Sequence, residues 1–278
     1  MPNHIKNILR FNCTPEERTQ IFEQIKHDEL GPGTLDFNKI IPMPKSLDVN
    51  AGSMEKELIN LYLTASNPNT KDMGMEKLDV LSHPIAKANV QTYARLSCND
   101  MMTNKEITDA FSHITHWPEN KNKTFAEAII VEMEKGKQYV DNAINHHATT
   151  WYEWSIREWG TKWNSYDFGE AGDNEISFNT AWSRPEPVIK KLSEMFPEIK
   201  IMHSWADEDI GYNVGEIEYL DGEEIAYDVP FPGSREAFEM AADIQGIDLA
   251  EYGYQLKADG SGYEYADNEE SLGQTMDN

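Results

Sequence analysis

An α+β fold follows from two features of this 278-residue sequence. Through the first half, apolar residues recur at helical spacing, with only short strand-like runs between them. Past residue 162 the period changes to strand alternation, punctuated by turn dipeptides and two further helical stretches. The prediction is a largely helical N-terminal and middle region with a short sheet, followed by a C-terminal α/β sandwich. The expected divisions are 1–148, 149–267 and a disordered tail over 268–278.

Residues 5–11 read as a first strand. Thr14-Pro15-Glu16-Glu17 then starts a helix: Thr14 caps, Pro15 suits the first helical position, and the glutamates suit the positive end of the dipole. Ile21, Phe22 and Ile25 form its apolar stripe. The spacing predicts a strand over 35–41, stopped by Pro42 and Pro44, and helices over 53–63, 85–96 and 104–114. The clearest helix is 124–144, where Phe125, Ile129, Val131, Met133, Val140 and Ile144 keep helical spacing. Residues 67–72 read as an exposed loop.

Four of the seven tryptophans fall between Trp151 and Trp163. Thr150-x-x-Glu153 has the form of a capping box for a short helix over 151–159. Gly160 is placed to end it in a left-handed conformation. Beyond it, 162–168 and 175–182 read as paired strands, with Ile176, Phe178, Thr180 and Trp182 on one face. A helix over 185–196, a strand over 199–206, and a hairpin of 215–220 with 224–229 about Asp221-Gly222 follow. A helix over 234–244, capped by Ser234, leads to a tyrosine-rich last segment over 251–265. From Ile176 onward this order is that of a ferredoxin-like β-α-β-β-α-β sandwich.

The formal net charge of -25 disfavours direct binding to a phosphate backbone, which depends on lysine and arginine displacing counterions. It favours basic partners instead, or simple solubility. From His203 onward the chain carries 20 Asp or Glu against Arg235 and Lys257 alone. Cys13 and Cys98 are the only cysteines, so no disulfide framework or zinc ribbon is offered. No signal-peptide pattern and no apolar run long enough for a bilayer is present, so a cytoplasmic protein without membrane contact is expected.

Two stretches are candidate binding sites. In the first, Trp159, Gly160, Lys162, Trp163, Asn164 and Tyr166 could form a recognition surface in which the rings stack and Lys162 or Asn164 donates. The alternative is that the two tryptophans lock a helix onto the sheet. In the second, Asp207, Glu208 and Asp209 follow a strand and could hold a divalent cation, or form a solvated loop. His113-x-x-His116 and His146-His147 lack the partners of a zinc site. Glycine-loop and nucleophile-elbow motifs are absent, and no cofactor or catalytic residue is assigned.

The opening MPNHIKN, the run LDFNKIIPMP over 35–44, REWGTKWNSYD over 157–167 and WADEDIGYNVGEI over 205–217 resemble the YubB-like proteins of phages, plasmids and related mobile elements. The resemblance implies a ferredoxin-like domain and a mobile-element origin, and carries no catalytic residue across. Together with the charge asymmetry it suggests an acidic accessory protein that docks on a basic host protein, as a mimic of nucleic acid blocking a DNA-handling or defence system. The alternatives are a metal-dependent hydrolase built on Asp207, Glu208 and Asp209, and a structural or assembly protein using its aromatic cluster.

Overall fold

The structure, a computed structural model, describes residues 3–59, 119–169 and 172–266. Helices expected over 85–96 and 104–114, the loop over 67–72, the His113 pair and the tail lie outside those residues. The chain divides into two compact units, residues 1–42 with 155–278, and residues 43–154.

The first unit is built on a mixed helix-and-sheet plan. Its sheet has five antiparallel strands: β1 (His4–Asn12), β2 (Glu175–Ala181), β3 (Lys200–Asp207), β4 (Val214–Leu220) and β5 (Glu223–Asp228), in the order β2-β1-β3-β4-β5. The first strand of the sequence therefore lies between β2 and β3, with Asn7 opposite both Phe178 and Trp205. The expected division at 148 would separate that strand from the two it pairs with. Strand pairing is non-local, and alternation within residues 5–11 says nothing about which strands will flank it.

Helix α1 (Pro15–Ile25) follows β1 and is capped as expected, with Thr14 and Glu17 bonding reciprocally. Its stripe of Ile21, Phe22 and Ile25 is buried, and Phe22 meets Phe11 of β1 edge-on. Residues 161–169 run irregularly along the free edge of β2, joined by paired bonds between Tyr166 and Asn179 and by Gly169 N–H to Ser177. Helix α4 (Glu186–Met195) then connects β2 to β3, burying Val188, Ile189 and Leu192. In chain order β1, α1, the 161–169 edge, β2, α4 and β3 make the ferredoxin-like β-α-β-β-α-β plan. The first strand and helix of this plan come from the N-terminus. The second strand is reduced to an irregular edge, because Asp167 takes φ +53 and breaks the pleat.

The β4–β5 hairpin extends the sheet beyond β3. Its turn residues Asp221 (φ +50) and Gly222 (φ +77) both adopt positive φ, the requirement that made Asp-Gly a hairpin signal. Helix α5 (Arg235–Gln245) is capped by Ser234 and buries Phe238, Ala241 and Ala242 against Ile8, Ala206 and Val214. Register places those three on the face opposite Leu9, His203 and Ile217, so α5 covers the reverse side of the sheet. A small hairpin, β6 (Tyr254–Leu256) with β7 (Tyr263–Tyr265), packs on Phe238.

Two further expectations are corrected. Residues 35–41 form no strand; Phe37–Lys39 is a 3-10 turn capped by Asp36, which accepts from Asn38 N–H. Short polar caps of that kind compete with strand pairing. Trp182 leaves the β2 face at φ +74 and is 41% exposed.

In the second unit, α2 (Glu119–His146) covers and exceeds the expected helix. Its inward residues differ from the expected stripe: Val131 and Ile144 are exposed, whereas Tyr139 and Asn142 are buried. Tyr139 donates to the Asn50 carbonyl at 2.8 Å and Asn142 to that of Ser46 at 2.8 Å. Polar anchoring, invisible to an apolar-periodicity argument, orients this helix. Helix α3 (Trp151–Glu158) starts at Thr150, whose backbone N–H and hydroxyl both reach the Glu153 carboxylate.

Candidate functional site

The tryptophan run is a clamp. Trp159 is 3% exposed, donates from Nε1 to the Ile41 carbonyl at 2.9 Å and meets Phe37 edge-on. Gly160 turns at φ +76, and a Cβ there would stand 2.8 Å from Pro187 Cδ, so both conformation and space demand glycine. Asn164 accepts from Phe37 N–H at 2.9 Å and donates to the Asp36 carboxylate at 2.7 Å. Tyr166 lies 2.6 Å from His4 Nδ1; burial raises its phenol, helped by Asp167 and Glu208. Lys162 places its ammonium over the rings of Trp163 and Trp182, at 4.7 and 4.6 Å. The motif thus fastens the segment 35–41 in place and lies along the end of β2.

Asp207, Glu208 and Asp209 are not equivalent. Asp207 is buried, and its carboxylate accepts from Asn3, Asn213 and the Asp209 backbone N–H. It closes the loop after β3, an Asx-type turn. Glu208 and Asp209 are exposed. Among the described residues no group of three or more His, Cys, Asp or Glu side chains could hold a metal ion.

A groove of about 850 Å³ opens on the α4 side of the sheet. Its floor is Trp205 and Ile217, and one wall is the C-terminal end of α3 with Pro187. Arg184 stacks on Trp205, 4.1 Å from its ring centre, and is held by Glu186 at 2.8 Å. Lys190 bridges Glu186 and Glu224, at 3.0 and 2.8 Å, which raises its ammonium above the ordinary lysine range. Burial pushes the Glu186 carboxyl up, but hydrogen bonds from Arg184 and Lys190 outweigh it and leave the group lowered.

Near this ion network lie buried polar groups. His203 is fully buried, and Nε2 lies 3.0 Å from Asn7 Oδ1, while Asn7 Nδ2 donates to Ile5 and Thr180. That assigns the Nε2–H tautomer. Burial, reinforced by Arg184, depresses the imidazole from 6.5 to about 3. Burial likewise pushes the Tyr219 phenol up to about 12.

The other wall of the groove is the edge strand β5. Tyr227 and Val229 point into the groove at 80% and 52% exposure, and Phe231 just beyond is 82% exposed. Single exposed apolar residues are ordinary, but here three stand at alternate positions on and just past the edge strand. On the reverse face, Asp228 lies opposite Glu216, with Glu218 two residues along β4. Glu236, Glu239 and Asp243 follow at helical spacing along α5, opposite its buried stripe. Of these six carboxylates, Glu218 is paired with Lys200 and Glu239 with Arg235. These six, of the 20 Asp and Glu from His203 onward, are carried by strands and a helix on the α5 side of the sheet. On that reverse face the strands offer Ser177, Ser204 and Met202 in the same rows.

In the sequence, the signal for this edge is that Tyr227, Val229 and Phe231 alternate, but alternation equally describes a buried strand.

The model of the family described as "Ferredoxin-like domain in Api92-like protein" matches residues 158–248. The match leaves out β1 and α1. Among solved structures, a crystal structure of the protein api92 from Yersinia pseudotuberculosis aligns over 83% of this chain and 100% of that one, at 11% identity and a TM-score of 0.33. No curated protein matches the chain. No helix among the described residues is long and apolar enough to cross a membrane.

Proposed function

We propose that this protein acts by binding a basic partner protein, and that β5 is the centre of the interface. The observation that carries this reading is the two-sided character of that edge strand. Tyr227 and Val229 border an apolar groove on one face, and Asp228 joins Glu216 and Glu218 on the other. An apolar centre with a polar flank is the anatomy of a protein interface, and an unpaired strand edge can accept an extended segment. The surrounding carboxylates, with a net charge of -25, steer a cationic partner and repel nucleic acid itself. A mobile-element origin would place that partner among host proteins that handle or defend DNA, whose basic clefts the carboxylate rows would occupy in place of phosphates.

A competition assay tests this. Labelled duplex DNA is bound to a panel of purified basic DNA-handling proteins, including restriction endonucleases and nucleoid proteins, and the acidic protein is titrated in at low and high salt. Displacement at low salt, weakened by screening and lost in the double variant Tyr227→Ala with Asp228→Lys, is the expected result. No displacement from any member, or equal displacement by the variant, overturns the reading.

A further inference from the structure

A second cavity, of about 230 Å³, lies where β1 meets the C-terminal hairpin, away from the groove. Lys6 of β1 donates to the Gln245 carbonyl at 3.2 Å, at the negative end of α5. An ammonium has three donors, so two N–H groups remain. His4 uses Nδ1 with Tyr166, leaving Nε2 as its remaining polar atom. On another side stands Glu208, its backbone N–H fixed by the His4 carbonyl at 3.0 Å. Among the described residues neither Glu208 nor Lys6 forms an ion pair, with each other or with any third group, although both line the cavity. The aromatic wall is Tyr254 stacked on Tyr265 at 4.4 Å, with their hydroxyls hydrogen-bonded at 3.0 Å.

We propose that this cavity binds a free α-amino acid with an apolar side chain. Its carboxylate would take Lys6 and His4, its ammonium would take Glu208, and its side chain would lie against the tyrosine pair, Ile210 and Ile247. Three features select this class. The volume falls below the roughly 300–1,000 Å³ of sites for drug-sized ligands, so the occupant is small. Glu208 and the α5 carboxyl end oppose a dianion such as phosphate, and Lys6 opposes a simple cation. A zwitterion satisfies both unpaired charges, each through a charge-assisted hydrogen bond.

Calorimetric titration with L-leucine, L-phenylalanine, N-acetyl-L-phenylalanine and phenethylamine decides the matter. The amino acids should bind saturably, and Lys6→Met and Glu208→Gln should each weaken them roughly tenfold or more, as expected for one lost charge-assisted bond. N-acetyl-L-phenylalanine, which has no ammonium, should bind wild type and Glu208→Gln equally. Absence of saturable heat with both amino acids, or equal affinity of the free amino acids for wild type and Glu208→Gln, overturns the proposal. If Lys6→Met unfolds, the Glu208→Gln comparison still decides, because that exposed side chain supports no packing.

Discussion

The run from Trp159 to Tyr166 and the edge from Tyr227 to Phe231 are both rich in aromatic residues, yet the structure uses them in opposite ways. In the first, nearly every polar atom has an assigned partner: Trp159 the Ile41 carbonyl, Asn164 both Phe37 and Asp36, Tyr166 His4. In the second, Tyr227 and Phe231 stand 80% and 82% exposed. Aromatic density therefore marks a place where much apolar area is concentrated, without saying whether the chain itself or a partner covers it. The more unusual motif, two tryptophans around Gly-Thr-Lys, turns out to be the one the fold consumes.

That contrast can be broken most directly at Trp159. Trp159→Ala should lower unfolding stability by about 3–5 kcal/mol, the range for removing a buried large aromatic, measured by chemical denaturation. A loss under 1 kcal/mol would mean that the run is not the clamp described, on the scale where surface changes fall.

A smaller effect, tied to pH, separates the groove floor from its exposed rim. His203 is held neutral by burial, with a folded value of about 3 against an ordinary 6.5. Above 6.5 both states are neutral and stability is unaffected. As pH falls below it, only the unfolded chain gains the proton, so stability declines by about 1.4 kcal/mol per pH unit until the folded group also protonates. His203→Gln should flatten the acid limb by that one-proton slope, whatever its effect at neutral pH. An unchanged slope would show that His203 is not buried neutral.

The smallest expected effect lies at the edge strand. Tyr227→Ala should change stability by no more than about 0.5 kcal/mol, as for other surface positions, and leave the melting temperature within a few degrees. A cost comparable to that of Trp159→Ala would show that Tyr227 packs on its own chain and is not free for a partner.

Local chemistry was readable where it is local. The Thr14–Glu17 box, the Ser234 cap, the Asp221-Gly222 turn and the left-handed Gly160 all stand where residue preferences place them. The stripe of α1 and that of α4 are buried as their spacing required. Misreadings cluster where a distant partner decides. Residues 35–41 have strand-like composition, but Asn164 and Trp159 hold that segment as a turn. Residues 162–168 alternate, but Asp167 spoils their pleat. The bonds that Asp207 accepts from Asn3 and Asn213 are likewise set by residues outside its own run.

By itself the sequence determined the fold class, the caps and turns, and the acidic excess after His203, because each depends on residue type or on neighbours within a few positions. Only the tertiary structure decided that the N-terminal strand lies at the heart of the ferredoxin-like sheet, that Trp159 turns inward, and that the edge strand carries apolar side chains on one face and a carboxylate on the other. Those outcomes depend on pairings between residues more than a hundred positions apart, such as Asn7 with Phe178 and Trp205. A β-strand's pattern fixes which side chains share a face, and the partner strands alone fix what that face meets.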